Sequence, residues 1–185
     1  MIIYVSGGCK NGKSGIAEKI AYTLKENNSP FYYIATMCPT DEEDKKRIEK
    51  HKENRKHLFF ETIEIQKNIK NLENICNLNG TFLIDSVTAL LANEMFLKDK
   101  VVNDAYKKVC DDLLYIICKM KNVVIVSDYI FSDSLKYDNI TNQYKKGLAF
   151  IDKSCAKKSD ILIEVCYNNI ILHKGEERFK NLKIC

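Results

Sequence analysis

Hydrophobic and polar positions along the chain alternate between two patterns, short apolar runs and longer segments with helical spacing. The short apolar runs predict β-strands. Some of them, such as Val123–Val126, are apolar on both faces, which is typical of a parallel sheet covered on both sides. The predicted strands are Ile2–Ser6, Phe31–Ala35, Phe59–Ile63, Phe82–Asp85, Val123–Ser127 and Ile161–Cys166.

Between these runs, apolar residues recur every three or four positions, as they do on one face of a helix. Ile16, Ile20 and Leu24 show this spacing in the segment that follows the first strand. Strands that alternate with helices indicate an α/β fold, with a mostly parallel sheet flanked by helices. Helices are predicted over Ser14–Asn27, residues 65–75, residues 86–97 and Asp104–Lys121.

The C-terminal part of the chain departs from this alternation. The apolar segments Ile161–Cys166 and Ile170–His173 are separated only by residues 167–169, two of which are asparagines. Asparagine tolerates a positive φ, so this spacing predicts a tight antiparallel hairpin at an edge of the sheet. The chain has no internal repeat and no linker-like segment, and we expect residues 1–185 to form a single domain.

Composition narrows the class of protein without naming a partner. The 185 residues are 45% hydrophobic and 29% charged, so the chain can bury a core, and with a formal net charge of only +4 we expect no nucleic-acid partner. No apolar run is long enough to span a membrane, and the start of the chain lacks the basic segment of a signal peptide. The eight cysteines form no Cys-x-x-Cys pair, which indicates reduced thiols in a cytoplasmic protein.

The most specific motif lies directly after the first predicted strand. It fits G-x-x-x-x-G-K-[ST], and a predicted helix follows it, which is the setting that a phosphate-binding loop requires. Glycines let successive N–H groups converge on phosphate oxygens, the lysine reaches the β- and γ-phosphates, and the hydroxyl binds Mg²⁺. We therefore predict a nucleotide site at Gly7, Gly8, Cys9, Lys10, Asn11, Gly12, Lys13 and Ser14.

An acidic residue at the end of a second strand would complete the Mg²⁺ site. The apolar strand that ends at Asp85 has this arrangement, and we predict that Ser14 and Asp85 bind the ion. In isolation, Asp85 could equally be an ordinary N-terminal cap of the helix over residues 86–97.

A highly charged segment follows the second predicted strand. Residues 40–55 predict a helix with almost no apolar face, on which Arg47, His51 and Arg55 lie on one side. Residues 45–57 hold five lysines and two arginines against two glutamates, so the excess positive charge of the chain is concentrated there. A histidine between guanidinium groups could attack a phosphate. The spacing alone is also typical of a solvated helix with i,i+4 ion pairs.

Taken in order, these motifs resemble the bifunctional adenosylcobinamide kinase/adenosylcobinamide-phosphate guanylyltransferases of cobalamin synthesis. The resemblance is strongest over about the first 95 residues and continues more weakly to the final hairpin. It rests on the phosphate loop combined with an Arg-Ile-x-x-His sequence, and on the segments Ile3–Ser14, Tyr33–Thr36, Arg47–Arg55, Phe60–Glu64 and Ile84–Thr88 with Asn93.

The resemblance implies two activities. A corrinoid hydroxyl is phosphorylated with ATP or GTP, and GMP is then transferred from GTP to the product through a GMP–histidine intermediate, for which the matching residue is His51. It also implies a trimer and a sheet ending in an antiparallel hairpin. Beyond the phosphate loop, the matching nucleotide-site residues are Ala35, Thr36, Met37, Arg47, Lys52, Glu53, Asn54, Arg55, Glu64 and Asp85.

The second half of the chain departs from the family pattern. The strand that normally ends in Asn-Glu-Val-Gly ends here in Asp128-Tyr129-Ile130-Phe131, and the family's later Asn-Gln pair falls near Asp152-Lys153. An α/β fold binds its substrates at the loops that follow the strands. The departure at residues 128–131 therefore lies where we expect the acceptor substrate to bind, while the nucleotide-binding residues keep the family pattern.

Three functions are compatible with these residues. The first is the bifunctional enzyme, which His51 with its flanking arginines favours. The second is a diverged phosphate-loop kinase or nucleotidyltransferase that acts on another small hydroxyl compound. The third is a nucleotide-binding module without turnover, in which His51 would be dispensable.

Overall fold

A computed structural model describes residues 1–39, 60–182 and 184. In chain order, its strands are β1 Ile2–Gly7, β2 Phe31–Ala35, β3 Glu61–Glu64, β4 Thr81–Asp85, β5 Phe96–Leu97, β6 Lys100–Val101, β7 Asn122–Asp128, β8 Ile161–Cys166 and β9 Asn169–Lys174. Its helices are α1 Lys13–Leu24, α2 Leu72–Ile75, α3 Val87–Met95, α4 Ala105–Ile117, α5 Asn139–Lys158 and α6 Glu176–Lys180, and a 3₁₀ turn at Ile69–Asn71 precedes α2.

Seven of these strands form one sheet in the order β3-β2-β4-β7-β1-β8-β9. Every neighbouring pair is parallel except the last, in which β8 and β9 form an antiparallel hairpin. At its turn, Tyr167 and Asn168 adopt left-handed backbone conformations, with φ of 50° and 61°. The predicted α/β fold and its C-terminal hairpin are confirmed.

Helices cover both faces of the sheet, and alternate residues of each strand point to one face or the other. On one face, Ile3 and Val5 of β1 pack with buried residues of α1. On the other face, Tyr4 packs in a larger core that contains residues of α3, α4 and α5. The phosphate-loop helix and the long helix α5 therefore lie on opposite faces.

Helix α5 is the largest element that the sequence patterns did not predict. Its buried face consists of Gly147, Leu148, Ile151 and Cys155, a narrow apolar stripe on a helix that is otherwise rich in lysine and polar residues. Asp138 caps its start by accepting a hydrogen bond from the backbone N–H of Thr141 at 2.6 Å. The cap is visible in the sequence, but the stripe is too narrow to stand out.

The remaining predicted elements differ from the structure mainly at their ends. Helix α1 ends at Leu24, before the predicted Asn27, because Lys25 adopts an extended conformation. The predicted helix over residues 65–75 consists only of the 3₁₀ turn and the four residues of α2. The helix predicted within residues 40–55 and the first residue of the strand predicted at Phe59–Ile63 lie outside the described residues.

Three kinds of feature are absent from the described part of the chain. None of its helices combines the length and apolar character needed to cross a membrane. No group of three or more histidine, cysteine, aspartate or glutamate side chains there is arranged to hold a metal ion. The cysteines whose placement is given form no disulfide and are free thiols: Cys9, Cys38, Cys76, Cys110, Cys118, Cys155 and Cys166.

Candidate nucleotide-binding site

The predicted phosphate loop connects the end of β1 to the start of α1. Gly12 has a φ of 85°, a left-handed conformation that glycine adopts at little cost, and α1 begins at the next residue. The backbone N–H of Ile16 donates to the carbonyl of Gly12 at 3.1 Å, so the helix starts directly at the loop. The first N–H groups of α1 have no partner within the helix, and together with the positive end of the helix dipole they favour an anion at this end.

Lys13 is buried, with 8% of its surface exposed, and its ammonium group lies over the loop. Its Nζ donates to the carbonyl of Gly8 at 3.3 Å and forms an ion pair with Asp128 Oδ1 at 2.5 Å. Asp128 ends β7, and Gly7 is its register partner on β1. An incoming phosphate would therefore compete with the Asp128 carboxylate for the Lys13 ammonium group.

The turn of the C-terminal hairpin lies against the phosphate loop. The backbone N–H of Asn168 donates to the carbonyl of Asn11 at 3.1 Å. A Cβ atom at Gly12 would lie 1.7 Å from Asn168 Oδ1, and one at Gly7 would lie 2.6 Å from the backbone carbonyl oxygen of Val165 on β8. The loop glycines therefore serve packing against the hairpin as well as the turn itself.

Gly7→Ala is expected to lower the free energy of unfolding by about 1–3 kcal/mol, because the added methyl group meets backbone and cannot be accommodated by a rotamer change. Gly15→Ala is the matched control, since a Cβ atom there has nothing within 4 Å and alanine favours the helix. Urea unfolding of the two variants measures the difference. Equal stabilities would contradict the close packing of β1 on β8.

Asp85 and Thr36 lie together at the carboxyl ends of neighbouring strands. The hydroxyl of Tyr33 donates to Asp85 Oδ2 at 3.0 Å, and the backbone N–H of Thr36 donates to the carbonyl of Asp85 at 3.2 Å. The Thr36 hydroxyl is also bonded to the backbone of Ser86, and Asn93 donates to the Thr36 carbonyl at 2.7 Å. This network fixes the chain where it leaves β2.

The residues predicted to bind Mg²⁺ carry oxygen ligands of the type that this ion prefers. Asp85 supplies a carboxylate at the end of β4, and Ser14 supplies a hydroxyl in the first turn of α1. Mg²⁺ in nucleotide sites is commonly held by one or two protein oxygens together with substrate phosphates and water. No larger group of protein ligands is therefore needed.

Other predicted site residues fall into two groups. Ala35 and Glu64 are register partners at the ends of β2 and β3, so they lie on the same edge of the sheet as Asp85, and Met37 follows Thr36 there. The others are outside the described residues and stay predictions: Arg47, His51, Lys52, Glu53, Asn54 and Arg55.

A cluster of polar groups around Asp152, which the sequence had marked only as the position of the family's Asn-Gln pair, lies beneath the site. Asp152 of α5 accepts hydrogen bonds at Oδ1 from the hydroxyls of Tyr4, at 2.6 Å, and Ser127, at 2.9 Å. Burial raises the pKa of Asp152 to about 6, although both hydrogen bonds oppose this rise, and burial also raises the pKa of Tyr4. Only the proximity of strands β1 and β7 to α5 brings these residues together.

Asp152→Asn is expected to stabilise the protein by about 1–3 kcal/mol at neutral pH. The folded-state pKa is above the unfolded value, so ionising Asp152 costs stability progressively from about pH 4 to about pH 6, and the cost then stays constant. Asparagine keeps the acceptor oxygen but does not titrate. Urea unfolding at pH 4 and pH 7.5 should show a variant advantage only at the higher pH, and an equal advantage at both would contradict this assignment.

Comparison with solved structures supports the fold. An ATPase domain of known structure aligns with a TM-score of 0.52 and 12% identity, over 94% of this chain and 76% of that chain. The flagellar accessory protein FlaH from Methanocaldococcus jannaschii aligns with a TM-score of 0.47 and 16% identity, over 94% and 77%. At 12% identity, the likeness to the ATPase domain bears on the fold alone.

Sequence comparison is more specific. The chain is 34% identical over 97 residues to the bifunctional adenosylcobalamin biosynthesis protein CobU of Escherichia coli (strain K12). That match covers 52% of this chain and 51% of the relative, so it spans about half the length of each. The family model described as cobinamide kinase / cobinamide phosphate guanyltransferase matches residues 3–167. Since that match includes both the phosphate loop and the start of the C-terminal hairpin, the chain belongs to the cobinamide kinase / cobinamide phosphate guanyltransferase family.

Proposed function

We propose that this protein phosphorylates the hydroxyl group of cobinamide with a nucleoside triphosphate and then transfers GMP from GTP to the phosphorylated product. The observation that carries the proposal is the Lys13–Asp128 pair at the phosphate loop, a cation held at 2.5 Å by a carboxylate that a phosphate can replace. Family membership supplies the substrate class.

In the kinase step, the cobinamide hydroxyl oxygen attacks the γ-phosphorus and its proton passes to water, while the bond to the bridging oxygen breaks and the nucleoside diphosphate leaves. Lys13 and the N–H groups of residues 8–14 stabilise the negative charge on the phosphates. Bound Mg²⁺, held by Ser14 and Asp85, would supply further neutralisation of that charge.

In the guanylyltransferase step, the neutral imidazole of His51 attacks the α-phosphorus of GTP, and pyrophosphate leaves. An oxygen of cobinamide phosphate then attacks the phosphorus of the GMP–histidine, and the imidazole is released. His51 is assigned from the Arg-Ile-x-x-His resemblance. Thr36 and the adjoining residues at the end of β2 immediately precede the segment that contains it.

A second candidate function is favoured by one observation. The segment after β7, where family members normally have Asn-Glu-Val-Gly, is Asp128–Phe131 here, and Asp128 is the ion-pair partner of Lys13. A change in this segment alters the surface next to Lys13 where the acceptor substrate would bind. The second candidate is therefore a kinase of the same family that acts on a different small hydroxyl compound.

The resemblance also supports a homotrimer, with each chain forming one nucleotide-binding domain in the cytoplasm. Light scattering on the purified protein would then give three times the mass of the chain. A monomeric mass at assay concentrations would contradict the trimer while leaving the proposed chemistry unaffected.

Two labels test the proposed function. With Mg²⁺ and cobinamide, GTP labelled at the γ-phosphate should yield labelled cobinamide phosphate, and GTP labelled at the α-phosphate should yield labelled GDP-cobinamide. Omitting cobinamide is the control for both. Transfer of only the γ-label would support a kinase alone. Transfer of neither, by protein that binds GTP, would contradict cobinamide as the acceptor.

A further inference from the structure

A cavity of about 400 Å³ lies directly after the strand that ends at Asp128. Its walls come from the segment that follows β7 and from the first turns of α5. We refer to it as the aromatic pocket, and its principal lining residues are Tyr129, Asp133, Tyr137, Tyr144 and Lys145. Neither the resemblance nor the predicted nucleotide residues assign a role to these side chains.

Short contacts connect the aromatic pocket to the phosphate loop. The backbone N–H of Tyr129 donates to the Gly7 carbonyl at 2.9 Å, and its neighbour Asp128 is the partner of Lys13. The backbone N–H of Asp128 donates to the Thr88 hydroxyl at 2.8 Å, and the Tyr144 hydroxyl donates to the Thr88 carbonyl at the same distance. Asp128, which pairs with Lys13, and Tyr129, which lines the pocket, are therefore consecutive residues whose backbone is fixed by hydrogen bonds to Thr88 and Gly7.

The position of the pocket suits an acceptor more than a nucleotide. The phosphate-loop helix α1 covers one face of the sheet, whereas Ile130, Phe131 and Tyr144 pack on the core of the opposite face. In phosphoryl transfer, the acceptor oxygen approaches in line, from the side opposite the leaving nucleotide. A ligand in the aromatic pocket would approach the phosphates from the face that the nucleotide helix does not cover.

The lining chemistry indicates a neutral ligand. Lys145 Nζ pairs with Asp133 Oδ2 at 3.1 Å and lies 4.4 Å from the centre of the Tyr137 ring, and the Tyr137 hydroxyl donates to Asp133 at 3.2 Å. The hydrogen bond from Lys145 lowers the pKa of Asp133, so the pair comprises one ammonium and one carboxylate. Such a pair offers a donor and an acceptor without excess positive charge, which suits a carboxamide or alcohol better than a phosphate.

We infer that the aromatic pocket binds one carboxamide-bearing arm of the acceptor, with tyrosine rings against its apolar part and with Lys145 and Asp133 on its amide. This inference rests on the proposed function, which names cobinamide as that acceptor. A cavity of this volume lies near the lower end of the range for ligand sites, about 300–1000 Å³, so it holds part of a corrinoid and not the whole macrocycle.

The test uses a pair of adjacent lysines. Lys145→Met removes the ammonium group from the pocket and keeps the length of the side chain, whereas Lys146→Met changes an exposed residue of the same helix that does not line the pocket. Tyr129→Ala is the second pocket variant, at a residue that is 46% exposed. Calorimetric titration with cobinamide, and separately with GTP, gives the two dissociation constants of each variant.

Lys145→Met and Tyr129→Ala should each weaken cobinamide binding by about tenfold or more, with GTP binding unchanged within about twofold, and Lys146→Met should match the wild type. Unchanged GTP binding also shows that the variants are folded. Wild-type cobinamide affinity in both pocket variants, or weakened GTP affinity instead, would overturn the assignment. The label-transfer experiment on the wild type tests the proposed function separately. If cobinamide binds somewhere other than the aromatic pocket, the wild type still transfers both labels.

Discussion

His51→Ala is expected to abolish a covalent adduct that forms when the wild-type protein is incubated with Mg²⁺ and GTP labelled at the α-phosphate. The expected bond joins an imidazole nitrogen to phosphorus, so the label should be released by acid and retained in base. Alanine has no nucleophile, and no labelled protein should remain after denaturation. Gel autoradiography after parallel acid and base treatments measures the result.

His57→Ala provides the control for this experiment. His57 lies in the same basic segment of the sequence but outside the Arg-Ile-x-x-His motif, so its variant should label like the wild type. GTP affinity should be similar in both variants, because Lys13 and the loop amides remain. Labelling that persists in His51→Ala would contradict a GMP–histidine intermediate at His51. It would not bear on the kinase step, which does not use His51.

The sequence predicted the parts of the fold that depend on local patterns. The apolar runs predicted a parallel sheet because strands buried on both faces, such as Val123–Val126 in β7, lack polar alternation. The strand–loop–helix setting of the G-x-x-x-x-G-K-[ST] motif was predictable, because the motif follows an apolar run and precedes a segment with helical spacing. Helix α5 was not predicted, because only a narrow apolar stripe including Leu148, Ile151 and Cys155 distinguishes it from a polar segment.

Contacts between distant residues could not be predicted, because they follow from the order of strands in the sheet. Asp128 reaches Lys13 only because β7 is inserted between β4 and β1. In the same way, Asn168 contacts the phosphate loop because β8 is the other neighbour of β1. The sequence showed that residues 128–131 depart from the family pattern. The position of β7 beside β1 shows that this departure includes the ion-pair partner of Lys13.

Lys13→Ala is expected to weaken GTP binding by about 2–5 kcal/mol, which is roughly thirtyfold or more in the dissociation constant. Lys13 is buried at the loop, so its ammonium group is screened by water less than an exposed one, and its contact with the phosphates is correspondingly stronger. Calorimetric titration with GTP in the presence of Mg²⁺ measures the change. An unchanged affinity would contradict the phosphate-loop assignment.

Two further variants separate the role of the Lys13 charge from that of its partner. Lys10→Ala removes an exposed lysine from the same loop and should change GTP affinity by less than about threefold, because only its backbone is assigned to the site. Asp128→Asn removes the carboxylate that holds Lys13 at 2.5 Å. If phosphate displaces Asp128 from Lys13, this variant should bind GTP more tightly than the wild type. Weaker binding would instead mean that Asp128 positions Lys13 for the phosphate and does not compete with it.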